Sequence, residues 1–275
     1  MIPQPTDAPL PNPISTALSL RNTKGLRTVR QALDRGDAFL VFQPIQDARS
    51  PEKNAFYEGL IRITDQAGLV IPARDFMQIC EADELGRHID CKALELGLQT
   101  LRDRPDIRLS INMSARSIYH APWIETFRSG IKDDPIIAER LILEITESSA
   151  MISPDITALF MEEMQGYGTC FALDDFGAGQ TSLRHFKDFR FDILKIDQCF
   201  IRNLHTDPAN RAIVTAVLSM ARHFDLLTIA EGVETSAEAG IAADLGIDCV
   251  QGYLFGKPGS LPDTGDDSAW VRRTA

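Results

Sequence analysis

From residue 38 to residue 253 the chain alternates two patterns. Short apolar runs rich in Val, Ile, Leu and Phe are followed by longer stretches in which apolar residues recur at helical spacing. The short runs predict eight strands, at 39–45, 55–63, 108–114, 140–146, 169–175, 191–197, 226–232 and 248–253. The longer stretches predict helices at 73–102, broken into two near Gly86, and at 115–129, 155–167, 179–188, 209–224 and 235–245. Strand and helix in alternation make an α/β fold, and eight strands predict a closed, TIM-like (β/α)8 barrel. One connection departs from the rule. Only Gln46 to Asn54, with Ser50 and Pro51 among them, separate the first two strands, whereas a parallel crossover needs a dozen residues or more. The first strand is therefore predicted to be antiparallel and to form a hairpin with the second.

The 275 residues suit one such barrel. Residues 1–25, rich in Pro and small polar residues, are expected to form a flexible leader, residues 26–259 the domain, and residues 260–275 a tail in which Trp270 and Val271 could pack. Residues 1–13 do not read as a secretion signal, so none is expected, and the longest apolar helical run, Ala212 to Ala221 between Arg211 and Arg222, is half of what a bilayer needs. No membrane insertion and a cytoplasmic location are expected. Five cysteines without a CxxC pair read as reduced core thiols. With 39 acidic against 28 basic residues, a net charge of -11 argues against a DNA or RNA polymer as partner. A small anion can still bind where bound cations reverse the local field.

The informative feature is a polar residue near the end of one strand after another, where a buried strand should stay apolar: Glu58, Asn112, Glu144, Asp174, Lys195, Glu231 and Gln251. In a parallel barrel those ends meet at one mouth, the face that carries catalysis. Carboxylates crowded there must protonate or be neutralised by cations. The donors are all oxygens, which favours Mg²⁺ or Mn²⁺ over zinc and admits Ca²⁺ as a competing, inhibitory ion. Adjacent Asp174 and Asp175 suit a two-ion site, with ions about 3.5–4 Å apart as in phosphodiester cleavage. Lys195 is either a charge-balancing partner or the group that holds or deprotonates an attacking water. After Asp175, FGAGQTSL reads as an active-site loop; Glu147 either holds it or merely starts a helix. Arg62 offers a forked donor for phosphate or else a surface ion pair, and Gln43 and Gln251 offer amides.

These residues carry a resemblance over residues 26–258. The chain resembles EAL-domain cyclic di-GMP phosphodiesterases in QPI (43–45), EGLIR (58–62) in place of EALxR, NMS (112–114), LEITE (143–147), DDFGAG (174–179), KID (195–197), AEGVET (230–235) and QGYLFGKP (251–258), in order and in spacing. The resemblance implies hydrolysis of one phosphodiester bond of cyclic di-GMP to linear pGpG with two Mg²⁺ or Mn²⁺ ions. It implies Glu58, Asn112, Glu144 and Asp174 as ligands of one ion, and Asp174, Asp175 and Glu231 as ligands of the second. Lys195 would help to activate water with Gln251 beside it, Gln43 and Arg62 would touch the dinucleotide, and Glu147 and Glu234 would support the loop. A homodimer is implied as well. Gln180 departs from the aromatic residue common in that loop. Two other readings stand beside this one: an EAL-like domain acting only as a cyclic di-GMP receptor or protein partner, and a barrel using Mg²⁺ to stabilise an enolate. Paired Asp174 and Asp175 count against the latter.

Overall fold

A computed structural model describes residues 13–81, 83–178 and 189–262. Its strands are β1 (Ala38–Asp47), β2 (Asn54–Thr64), β3 (Val70–Pro72), β4 (Leu109–Asn112), β5 (Leu141–Thr146), β6 (Cys170–Phe176), β7 (Ile193–Ile196), β8 (Leu227–Ala230) and β9 (Cys249–Val250). Neighbours run β1-β9-β8-β7-β6-β5-β4-β2, and pairing of β1 with β2 closes the ring. The short β3 lies antiparallel on β2 as an addition the sequence reading lacks. From β2 through β9 the barrel strands are parallel, while β1 is antiparallel to both of its neighbours. The expected hairpin is present, and its turn is held by Asp47, whose carboxylate accepts from the backbone N–H groups of Arg49 and Ser50.

The principal helices are α1 (Pro13–Arg35), α2 (Glu84–Asp103), α3 (Ala121–Ile131), α4 (Pro154–Gln165), α5 (Pro208–His223) and α6 (Ser236–Leu245). Three boundaries differ from expectation. Residues 13–25, read as leader, are the first half of α1, whose later turns bury Val29 and Ala32 beside Leu26 and Leu33. The break within 73–102 falls before Gly86, because Asp83 caps α2 by accepting from Leu85 N–H. Gly86 instead serves a close approach: a Cβ there would lie 2.7 Å from the Cys80 carbonyl oxygen. The helix expected from 115 begins as a 3-10 turn, Ala115–Ser117, and α3 starts only at Ala121, with Pro122 in its first turn. The expected helix 179–188, Gln180 with it, residues 1–12 of the leader and most of the tail lie outside the described residues. Gly259 pairs with Phe42, and Leu261 packs on the core, so the tail begins bound to the barrel. Among the cysteines, Cys80, Cys170 and Cys249 are buried thiols, while Cys199 is exposed. No helix among the described residues is long and apolar enough to cross a membrane.

Two apolar regions follow from strand alternation. Outward residues such as Leu141, Leu143, Ile145, Phe171, Leu173, Leu194 and Ile196 pack under the helices. Inward residues Ile45, Phe56, Ile142, Cys170, Ala172, Ile193, Ile229 and Cys249 fill the base of the barrel.

Candidate functional site

On each parallel strand except β4 the last inward apolar residue has a polar successor two positions along, on the same face. Phe56 leads to Glu58, Ile142 to Glu144, Ala172 to Asp174, Ile193 to Lys195, Ile229 to Glu231 and Cys249 to Gln251; on β4, Ser110 leads to Asn112. β1 runs the other way, so Ile45 is preceded by Gln43, directly opposite Glu58. A polar layer therefore sits on the apolar one at the mouth of the barrel. Asp174 and Asp175 are sequence neighbours and would face opposite ways on a regular strand. The register shifts between Leu173 and Phe176, and Asp175 takes a left-handed backbone (φ 56°), which brings both to one site. Carboxylate oxygens of Asp174, Asp175 and Glu231 all lie within 4.8 Å of one another, a spacing able to hold a metal ion.

Lys195 is the centre of the layer and is fully buried. Its Nζ lies 2.7 Å from Glu144 Oε2, 2.9 Å from Glu231 Oε1, 3.0 Å from Asp174 Oδ1 and 3.6 Å from Glu58 Oε2. Asn112 Nδ2 donates to Glu58 Oε1 (2.8 Å), and Gln251 Nε2 donates to Glu58 Oε2 (2.6 Å). Gln251 Nε2 also reaches Gln43 Oε1 at 3.4 Å, while Gln43 Nε2 donates to the Gly256 carbonyl.

The charges do not balance. Glu58, Glu144, Asp174, Asp175 and Glu231 are five carboxyl groups against one ammonium, an excess of four negative charges were all of them ionised, in a site that is buried except at Asp175 and partly at Glu231. Burial and the nearby Glu58 charge push Glu144 up to about 8 despite Lys195. Burial, Asp174 and Asp197 push Asp175 up to about 6. Burial also holds Glu231 well above its ordinary value. Burial opposes ionisation of Glu58 too, but Lys195, Gln251 and Asn112 outweigh it and hold that carboxyl low. For Lys195, burial alone favours the neutral amine, yet Asp174, Glu144, Glu231 and Glu58 together raise it well above the ordinary lysine value. Lys195 is thus an ammonium here rather than a base. Divalent cations would offset that negative charge, and the donor set fits a metal ion: it is all oxygen, and the buried Glu144 Oε1 and Gln251 Oε1 have no hydrogen-bond partner.

Other expected residues lie around this core. Arg62 follows Glu58 by four residues on the same face of β2, about 13 Å farther along the strand. It is half-buried, and its Nη1 donates to the Ile61 carbonyl. Glu147 is buried at the start of the helical turn Glu147–Ala150; the loop it is expected to hold, Asp175 to Leu183, lies outside the described residues from Gly179 on. Glu234 is at the surface, paired with Arg202 at 3.1 Å, and does not back the carboxylates. The buried supporting acid of that segment is Glu238, which accepts from the backbone N–H groups of Asn203, Glu234 and Thr235. Thr235 and Glu238 form a capping box, and T-x-x-E in the sequence was the signal for it. Asp197, two residues after Lys195, is a further missed acid, close enough to act on Asp175.

Residues 26–258 match the family described as EAL domain. The chain is 32% identical to the cyclic di-GMP phosphodiesterase PdeF of Escherichia coli over 254 residues, 91% of this chain and 34% of PdeF. It is also 32% identical to the bifunctional diguanylate cyclase/cyclic di-GMP phosphodiesterase MucR of Pseudomonas aeruginosa over 240 residues, 85% of this chain and 35% of MucR. It therefore spans about a third of the length of these relatives. A solved complex of the PaMucR phosphodiesterase with c-di-GMP superposes with a TM-score of 0.74 at 31% identity, covering 86% of this chain and 98% of that one. The Xanthomonas citri FimX EAL domain, at 22% identity, shares the fold with a TM-score of 0.80, covering 91% and 99% of the two chains. On the extent of the match and the barrel geometry together, the chain belongs to the EAL domain family.

Proposed function

We propose that this chain is a metal-dependent phosphodiesterase that hydrolyses one 3′,5′ phosphodiester bond of cyclic di-GMP to give linear pGpG. The observation that carries the reading is the convergence of Glu144, Glu231, Asp174 and Glu58 on the buried Lys195 at the mouth of the barrel. Glu58, Asn112, Glu144 and Asp174 would hold one Mg²⁺ or Mn²⁺ ion, and Asp174, Asp175 and Glu231 the second. When bound, the ions supply Lewis-acid activation of water and stabilise the phosphate charge.

The chain's own groups do the rest. Once cations take up the carboxylate charge, burial becomes the dominant influence on Lys195 and draws its pKa down, so its Nζ can hold or accept a proton of the attacking water. Gln251 orients that water through its amide, anchored by the bond to Glu58. Arg62 sits above Glu58 and presents a guanidinium to a substrate phosphate, with Gln43 on the neighbouring strand. The global charge of -11 is compatible with a dianionic substrate because the cation field is local.

Hydrolysis of cyclic di-GMP by the purified chain in Mg²⁺, Mn²⁺ or EDTA, with pGpG resolved from GMP by chromatography, tests the proposal. Metal-dependent pGpG formation abolished by EDTA is expected. Tight nucleotide binding without turnover would overturn the enzymatic reading in favour of a receptor.

A further inference from the structure

Asp90 is a buried acid that the proposed chemistry does not use. It lies on the inner side of α2, 4% exposed, and its Oδ2 accepts from Ser117 Oγ at 2.5 Å and from Ser114 N–H at 3.0 Å. An ionised carboxylate in such a place is costly unless its hydrogen bonds are put to use, and burial here pushes the acid up to about 7. Both donors belong to the segment that leaves β4 directly after Asn112. The same segment is held from its other side: Met113 N–H donates to the Glu144 carbonyl (2.8 Å), and Ala115 N–H donates to Ser149 Oγ (2.7 Å) in the turn after β5. Asn112 therefore stands between a strand and a clamped loop, with its amide on Glu58.

We propose that Asp90 is a positioning residue of the cation site, fixing through Ser114 and Ser117 the segment after β4 and, with it, the Asn112 amide against Glu58. The inference rests on the reading of Asn112 and Glu58 as cation ligands. Partners that orient a ligand characteristically carry about a 10- to 100-fold effect on metal affinity or activity when lost.

The test is a Mn²⁺ titration of the full chain, read both as the rise in melting temperature and as the Mn²⁺ concentration for half-maximal cyclic di-GMP hydrolysis. Asp90→Ala is expected to raise the Mn²⁺ requirement about 10- to 100-fold in both readouts while kcat at saturating Mn²⁺ changes far less. Asp90→Asn keeps an oxygen that accepts from Ser114 and Ser117, so it is expected to restore the requirement to within about threefold of wild type. Should Asp90→Ala not fold, Ser117→Ala carries the test with a shift in the same direction. An Asp90→Ala or Ser117→Ala chain that is less stable yet needs no more Mn²⁺ than wild type overturns the proposal. Wild-type protein that binds Mn²⁺ without hydrolysis overturns only the enzymatic reading. Wild-type protein that binds no Mn²⁺ overturns both.

Discussion

The interior of the barrel has two layers built by the same strands, two residues apart. Ile142, Ala172, Ile193 and Ile229 form the lower one, and Glu144, Asp174, Lys195 and Glu231 the upper. The lower layer gains stability from close apolar packing. The upper layer is buried at Lys195 and Glu144 and opens to solvent at Glu231 and Asp175, and it gathers four carboxylates around one ammonium with Asp175 beside them, an arrangement that opposes folding unless cations or protons neutralise it. On the proposed function the contrast marks where stability is given up for chemistry, and substitutions in the two layers should separate the two properties.

The largest effect is expected from Asp174→Ala, which would remove the carboxylate proposed to be shared by two ions. Turnover should fall by about a thousandfold or more, a barrier increase of roughly 4 kcal/mol, while the barrel still folds. Near-normal turnover would break the ligand assignment. For Lys195→Met a loss of about 10²- to 10⁴-fold in hydrolysis is expected, with cyclic di-GMP binding retained in calorimetry; unchanged hydrolysis would remove Lys195 from the water-activating role. In the lower layer the pattern inverts. Ile142→Ala should cost about 2–5 kcal/mol in denaturant unfolding and leave kcat within a few-fold of wild type.

The upper layer should also respond to pH. Glu144, near 8, and Asp175, near 6, lie above their ordinary values of 4.5 and 3.8, so in the cation-free protein the folded chain binds protons that the unfolded chain has released. That contribution to stability is fully present below the unfolded values and is lost as pH rises through about 6 and then about 8. Glu58, held low, acts in the opposite sense and loses its contribution only as pH falls below its ordinary range. A fall of several degrees in melting temperature between pH 5 and pH 8 is expected without metal. Saturating Mn²⁺, which binds the ionised forms, should abolish the fall. A melting temperature that climbs with pH in EDTA would contradict these shifts.

The smallest effect concerns Gly59, which stands where the signature has Ala. A Cβ there would lie 2.7 Å from Ile111 Cδ1, and Ile111 also crowds Gly97 on α2. Gly59→Ala is expected to cost about 1 kcal/mol, relieved by Ile111→Val, with little change in turnover. A larger cost together with lost turnover would show that the Gly59 and Ile111 pair sets the spacing of Glu58 and Asn112.

Much of this layered plan was legible because it is written in the period of two that strands impose. The row from Glu58 to Gln251 could be read as a ring from one polar interruption per strand, and the short Gln46–Asn54 link announced the antiparallel β1. What escaped reading depends on contacts between distant segments or on caps. Asp90 looks like any helical acid until Ser114 and Ser117 fold against it. Glu234 and Glu238 are indistinguishable by charge, and only the capping box at Thr235 turns Glu238 inward while Glu234 meets Arg202 at the surface. Asp83 rather than Gly86 ends the preceding turn because a side-chain cap, not backbone freedom, sets that boundary.

The central claim is the proposal that the upper layer holds two cations among the carboxylates gathered on Lys195. Counting Mn²⁺ bound per chain by calorimetry, for the wild type and for Asp174→Ala, tests it most directly. The account predicts two ions per wild-type chain, with proton release on binding, and loss of at least one in the variant. Absence of Mn²⁺ binding by the wild type, or the same stoichiometry in both, would contradict it.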